Sequence, residues 1–259
     1  YLISMLAFAI AAFSASTLAR GVSTSGAPAS DTPVGDDSAD GAPTAAAPSA
    51  AAAGRLGLGE ALRYALARPV PMFAIVTIIT GQMMMTNVMV MTPVHMDHQG
   101  FSLGAVGIVV SIHIAGMYAL SPLFGWMSDR WGPGSVIGAG TVVFAVTIVL
   151  GVVDALAERS SMPLLSTALL LLGVGWSMYL IGGSALLTRA VPPEAKVTLQ
   201  GVSDSAMNLG GALMAATAGT VLGLGGFLWI NLMATFVLAI SVVFGIRAIP
   251  HLRRGAAEA

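Results

Sequence analysis

The chain has 259 residues, of which 56% are hydrophobic and only 9% charged, and its formal net charge is −1. Roughly a quarter of the residues of a soluble domain are charged, so this composition excludes an ordinary soluble domain and predicts a polytopic membrane protein. The chain contains no cysteine, which excludes disulfides and thiolate metal sites.

The first apolar run, residues 1–20, predicts a membrane-spanning helix. It has neither an initiator methionine nor the basic segment that opens a signal peptide, so we expect a piece of a longer protein whose first helix could be truncated. Residues 21–68 are at first rich in Ala, Pro, Ser, Gly and Asp, which predicts a disordered linker. The linker ends with Leu58, Leu62 and Leu66 at helical spacing, which predicts a short interfacial helix.

Six further apolar runs are each long enough to cross a bilayer, where the backbone must satisfy its own hydrogen bonds by forming helices. We place them at Pro71–Val94, Ser102–Met127, Ser135–Val153, Pro163–Thr188, Thr198–Leu222 and Phe227–Ile246. The predicted fold is therefore an all-α membrane protein with seven transmembrane helices. Residues 69–248 form a six-helix unit and residues 249–259 form a tail.

Basic residues in the loops predict the orientation, because cytoplasmic loops of membrane proteins are enriched in Lys and Arg. One side of the predicted helices carries ten of the eleven basic residues, and the other side carries only Arg159. The linker, the loops around Asp129 and Glu194, and the C-terminus are therefore predicted to be cytoplasmic.

Residues 121–134 lie between two apolar runs and predict a tight polar turn, in which two glycines allow close approach and sharp bending. The stretch resembles the signature loop of the major facilitator superfamily, G-x-L-a-D-R-x-G-R-K. Four residues match that loop: Gly125, Asp129, Arg130 and Gly132. Met127 stands for the Leu, while Pro133 and Gly134 replace the two trailing basic residues, as in the degenerate copy that joins helices 8 and 9 of the family.

The resemblance implies helix 6, the central loop and helices 7 to 12 of a 12-helix transporter. Residues 69–248 would then be the C-terminal half, and the partner would be the missing N-terminal six-helix half of the same polypeptide. Such proteins rock two halves about a site near the bilayer midplane. The expected location is the plasma (inner) membrane.

Asp204 is the only acidic residue that we place well inside a predicted span. Gln200, Asp204 and Asn208 recur every four residues and form one stripe on their helix, which suits a substrate or proton pathway. Asp204 also lies only about 7 Å from the cytoplasmic start of its helix, where water or a loop Arg could neutralise it. His113, near the midplane, suits a proton relay, or is simply hydrogen-bonded within the bundle.

The span Pro71–Val94, which would be helix 7 of the family, carries Gln82 and Asn87 among several methionines. Methionines suit an adaptable apolar site or ordinary packing. Trp176 and Tyr179, three residues apart on helix 10, either line the same cavity or pack against a neighbouring helix. We assign these four side chains to the candidate substrate pathway.

These features predict a secondary active transporter of small molecules. Proton-coupled efflux is the preferred interpretation, and proton-coupled uptake of a metabolite is the alternative. A metal-ion transporter is a further alternative, since His95-Met96-Asp97-His98 follows the Met-rich helix. We expect no enzyme activity, because no phosphate-binding loop with a Lys is present and Ser184 lacks a buried His at its depth. No cofactor, resident metal or nucleic-acid partner is expected; the partners are a small-molecule substrate, protons and the lipid bilayer.

Overall fold

A computed structural model describes residues 56–257, in which every regular element is an α-helix. These residues form seven helices: α1 Leu58–Leu66, α2 Pro69–His98, α3 Leu103–Tyr118, α4 Ser121–Trp131, α5 Pro133–Leu156, α6 Met162–Ala190 and α7 Pro193–Ala257. The all-α prediction is confirmed. The predicted helix at residues 1–20 and the linker up to residue 55 lie outside the described residues.

Proline marks the places where the long helices begin. Pro69 and Pro133 are the first residues of α2 and α5, Pro122 and Pro163 are the second residues of α4 and α6, and α7 begins at Pro193. The ring presets a helical φ, and the missing N–H has no intrahelical partner in the first turn anyway. In these five helices the proline therefore ends the preceding connection and starts the helix.

Five stretches within residues 56–257 are long and apolar enough to cross a membrane: Pro69–His98, Leu103–Trp131, Pro133–Leu156, Met162–Ala190 and Pro193–Leu252. The last stretch has 60 residues and contains two predicted spans. Its helical backbone is interrupted only at Gly226, where φ is 66° and ψ is −166°. The predicted turn over residues 223–226 is thus reduced to one residue. We call residues 193–225 the first arm of α7 and residues 227–257 the second arm.

The motif stretch is not the turn that we predicted. Residues 121–131 form α4, and the chain reverses at Gly132, whose φ of 85° lies in the left-handed region that favours glycine. A side chain at Gly125 would meet open space, so the expected close approach there is not seen among the described residues. The polar residues of the motif are therefore carried by a helix.

α6 occupies the middle of the unit, because it contacts α2, α3, α4, α5 and α7. Its crossing with α3 depends on two glycines. A Cβ atom at Gly116 would overlap the carbonyl oxygen of Leu170, and one at Gly173 would overlap the carbonyl oxygen of His113. The two backbones approach each other closely at this point, as small residues allow between membrane helices.

The end of the unit opposite the basic loops also differs from the prediction. α2 continues to His98, so the segment expected to be a loop after helix 7 is helical. Asp154, which follows the predicted span Ser135–Val153, lies inside α5 and is only 2% exposed. Asp204 is therefore not the one acidic residue within the long helices.

Candidate functional site

A hydrogen bond between side chains joins α2 and α6. The indole Nε1 of Trp176 on α6 donates to Oε1 of Gln82 on α2 at 2.8 Å. Nε2 of Gln82 donates to Oγ1 of Thr86 at 3.3 Å. The ring of Tyr118, at the end of α3, meets the Trp176 ring edge-on, with centroids 6.1 Å apart. Three helices thus place an amide, a hydroxyl and two aromatic rings together.

The first arm of α7 carries the predicted polar stripe. Nε2 of Gln200 donates to Oδ1 of Asp204 at 3.2 Å, and Nδ2 of Asn208 donates to the backbone oxygen of Asp204 at 2.8 Å. Asp204 and Asn208 are exposed in the described chain. Gln200, Asp204 and Lys196 line an open groove with a volume of about 440 Å³. A carboxylate and an ammonium group therefore face the same space.

The stripe and the Gln82 contact meet at Gly211. A Cβ atom at Gly211 would lie 3.2 Å from Cγ of Gln82 and 3.2 Å from Oγ1 of Thr86. Gly211 is two turns after Asp204, which places it on the same face of the helix, about 10 Å further along. The helix face that carries Asp204 therefore packs, at Gly211, against Gln82 and Thr86 on α2.

Two predicted pathway residues are buried in contacts between helices. His113 is 1% exposed, and its Nδ1 lies 2.8 Å from the backbone oxygen of Leu169, so Nδ1 carries the hydrogen. Asn87 is fully buried and its Nδ2 donates to the backbone oxygen of Ile230 at 2.9 Å. Neither side chain shares the exposed surface of Asp204.

Tyr179 is fully buried in the core of the unit. Its hydroxyl lies 2.9 Å from Oγ1 of Thr141 and accepts from Oγ of Ser241 at 3.3 Å. Its ring packs edge-on against Phe144, with centroids 4.8 Å apart. Tyr179 thus joins α5, α6 and the second arm of α7, and it packs against Gly81 on α2. Among the described residues it forms no hydrogen bond with Gln82.

The motif residue Asp129 has a partner within the unit that sequence reasoning missed. Nη2 of Arg189, in the last turn of α6, donates to Oδ1 of Asp129 at 2.9 Å. Both side chains are largely exposed, at 49% for Arg189 and 81% for Asp129. Arg130 is also exposed. The sequence shows that basic residues are frequent in the loops at this end of the unit, but it does not show that Arg189 is the one that pairs with Asp129.

Residues 95–98, which suggested a metal-ion transporter, do not form one cluster of side chains. His95 and Met96 are buried, whereas Asp97 and His98 are exposed. Within residues 56–257, no three His, Asp or Glu side chains come close enough to hold a metal ion. The structure therefore gives the metal-ion alternative no support from this segment.

Comparison with known proteins places these features in a family context. The family model described as Major Facilitator Superfamily matches residues 72–258. The chain is 41% identical over 151 residues to the uncharacterized MFS-type transporter YddS and 39% identical over 153 residues to the uncharacterized MFS-type transporter YdeG, both of Bacillus subtilis. It is 28% identical over 188 residues to the riboflavin transporter RfnT of Brucella anthropi. These matches cover 58%, 59% and 72% of this chain, but only 34%, 35% and 44% of the relatives.

Proposed function

Since the chain belongs to the major facilitator superfamily, we propose that it forms the C-terminal half of a secondary active transporter of small molecules. Residues 69–248 act as one of two halves that rock about a site between them. The other half is supplied by the same polypeptide, and the protein lies in the plasma membrane with its basic loops in the cytoplasm. The relatives' greater length supports a second half.

The observation that carries the proposal is the polar stripe of Gln200, Asp204 and Asn208, on a helix that packs at Gly211 against Gln82 and Thr86. A carboxylate within an apolar helix is costly to keep unless it has a function or a partner. We assign Asp204 to proton coupling, with Gln200 and Asn208 beside it. Gln82, Trp176 and Tyr118 contact the substrate.

Efflux is our first choice of direction, because the site combines aromatic rings with adaptable Met side chains that accept varied apolar molecules. Met83 belongs to this lining, since a Cβ atom at Gly210 of the first arm would lie 3.0 Å from its Cγ. Proton-coupled uptake of a metabolite uses the same residues and is the alternative. The two differ in whether a pH gradient drives substrate out of or into the cell.

His113 and Asn87 remain in the proposal as residues that change their contacts between states. His113 Nε2 and Asn87 Oδ1 are buried and have no hydrogen-bond partner among the described residues. Buried polar atoms of this kind cost free energy. A state that opens the contact between α3 and α6 gives His113 Nε2 access to water or substrate.

Riboflavin is a suitable first probe, because one relative is named a riboflavin transporter and a flat ring system can stack on Trp176 or Tyr118. The experiment uses the full-length polypeptide in proteoliposomes that contain a pH-sensitive dye. Addition of riboflavin on one side should move protons across the membrane together with, or against, the flavin. Flavin movement without any proton movement would contradict proton coupling. If riboflavin does not move, the same assay is repeated with a panel of small aromatic molecules.

A further inference from the structure

The end of the unit opposite the basic loops contains a buried group of titratable side chains that the proposed pathway does not use. Nε2 of His95 on α2 lies 3.0 Å from Oδ2 of Asp154 on α5 and 2.9 Å from Oγ of Ser160. Oγ of Ser160 also donates to Oδ2 of Asp154 at 2.8 Å. The backbone N–H of Ser161 donates to Oδ1 of Asp154 at 3.2 Å. Asp154 is 2% exposed and His95 is 8% exposed.

The contacts of Asp154 indicate which nitrogen of His95 carries a hydrogen. Asp154 accepts from a hydroxyl and a backbone N–H, and the third contact is Nε2 of His95, so both carboxylate oxygens are used as acceptors. This pattern suits an ionised carboxylate and an imidazole that carries its hydrogen on Nε2. Nδ1 of His95 is then the nitrogen that can accept a proton. One added proton changes the net charge of the pair from −1 to zero.

The surroundings supply little other charge. The ring of His95 stacks on Phe227 at the start of the second arm of α7, with centroids 4.3 Å apart and planes 8° from parallel. Within the described chain, the neighbouring parts of α3, α6 and α7 carry no Asp, Glu, Lys, Arg or His that faces the pair. The nearby charged or titratable groups are Asp97, His98, Glu158 and Arg159, and all four are exposed. A charge-balanced pair is therefore formed most simply by uptake of a proton.

We propose that His95, Asp154 and Ser160 form a proton-binding site at the outer end of the unit, taking one proton at Nδ1 of His95 from the medium on that side. The site rests on the proposed orientation, which puts this end outside. It joins α2, α5, the start of α6 and the second arm of α7, so protonation changes the charge at a junction of four helices. Asp204, near the basic end, is a separate site, and the two are on opposite sides of the membrane.

The test is nuclear magnetic resonance of the full-length protein, labelled with ¹⁵N-histidine, in proteoliposomes whose outer pH is varied from about 8 to about 5, the range in which histidine commonly titrates. His95→Gln identifies the His95 signals by their loss. Wild-type His95 should carry a hydrogen only on Nε2 at the upper end of this range and on both ring nitrogens at the lower end. Asp154→Asn removes the negative charge that balances a doubly protonated ring, so a smaller fraction of His95 should carry both hydrogens at the lower end of the range.

His98 is the matched control, since it lies one turn away on α2 and is exposed. Its titration should not change in Asp154→Asn. A His95 that keeps one protonation state across the range would overturn the proposal, as would a His95 titration that Asp154→Asn leaves unchanged. If Asp154→Asn does not fold, Ser160→Ala replaces it. Ser160→Ala should change the outer pH at which half of the His95 side chains carry both ring hydrogens. The measurement needs no transported substrate, so its outcome is independent of whether Asp204 couples protons to transport.

Discussion

At the scale of single residues, the contact between Trp176 and Gln82 is the most specific feature of the candidate site. Trp176→Phe keeps an aromatic ring but removes the donor to Oε1 of Gln82. Loss of one such hydrogen bond should lower the free energy of unfolding by about 1 kcal/mol. Denaturant unfolding of the full-length protein in detergent measures this change.

Trp229→Phe is the control for that substitution, because Trp229 is 56% exposed on the second arm of α7. It should leave the free energy of unfolding nearly unchanged.

A double-mutant cycle isolates the contribution of the hydrogen bond. Gln82→Met removes the acceptor. In the Gln82→Met background, Trp176→Phe should lower the free energy of unfolding clearly less than it does in the wild type. Equal costs of Trp176→Phe in both backgrounds would show that the hydrogen bond is not formed.

The sequence predicted which polar residues share a helix face but not which helices meet there, for a physical reason. The stripe of Gln200, Asp204 and Asn208 follows from the helical period, and the structure has all three on one helix. The burial of Asp154 does not follow from the sequence, because it depends on His95 being brought to it from 59 positions away. Local patterns report which face of a helix is polar, but not which helix covers that face.

At the scale of helices, the crossing of α3 and α6 depends on an approach that only glycine permits. Gly173→Ala places a Cβ atom against the backbone of α3 at His113 and Met117. Since backbone cannot move aside as a flexible side chain can, the helices must separate, and the free energy of unfolding should fall by about 1–3 kcal/mol. Denaturant unfolding in detergent checks this value.

Gly138→Ala on α5 is the matched control for Gly173→Ala. A Cβ atom there meets no other heavy atom within 4 Å in the described chain. It should leave stability unchanged or raise it by up to about 1 kcal/mol, since Ala favours helix more than Gly does. Equal losses in both variants would mean that the α3–α6 crossing is not the cause.

The motif helix α4 gives a second prediction at this scale, on the pair of Asp129 and Arg189. Both side chains are exposed, so the pair adds little to stability. Asp129→Asn should therefore unfold nearly like the wild type, and we expect it to slow the exchange between inward-facing and outward-facing states. Single-molecule fluorescence of the full-length protein measures that exchange.

The reversed pair, Asp129→Arg with Arg189→Asp, should recover part of the exchange rate if the contact between these two residues matters. Asp97→Asn, an exposed acid at the other end of the unit, is the control and should exchange like the wild type. Weaker substrate binding in Asp129→Asn with an unchanged exchange rate would contradict this role.

Sequence patterns predicted the helices well but not their connections. Pro residues and long apolar runs determine where a helix starts and how far it extends, and the observed starts at Pro69 and Pro133 lie two residues before the predicted ones. The helical conformation of residues 128–131 was missed, and the break at Gly226 is shorter than the turn predicted over residues 223–226. Gly and polar residues are compatible with both helix and turn, so the packing of the neighbouring helices decides between them.

At the scale of the whole molecule, the bias of ten basic residues against one predicts the orientation. A cysteine introduced near Glu194 or near Asp40 should react with a membrane-impermeant maleimide only after the cells are opened. A cysteine in place of Glu158 should react in intact cells. The reverse pattern would invert the proposed topology, and it would also place the His95–Asp154 site on the cytoplasmic side.

Coupling of transport to protons through Asp204 is tested most directly by Asp204→Asn in the full-length protein, with accumulation and exchange of the same substrate measured in proteoliposomes. The amide keeps the shape of the side chain but cannot titrate. Asp204→Asn should lose accumulation driven by a pH gradient and keep exchange at equal pH, whereas Glu194→Gln, an exposed acid earlier on the same helix, should keep both. Accumulation by Asp204→Asn with the wild-type dependence on pH would contradict proton coupling at this residue.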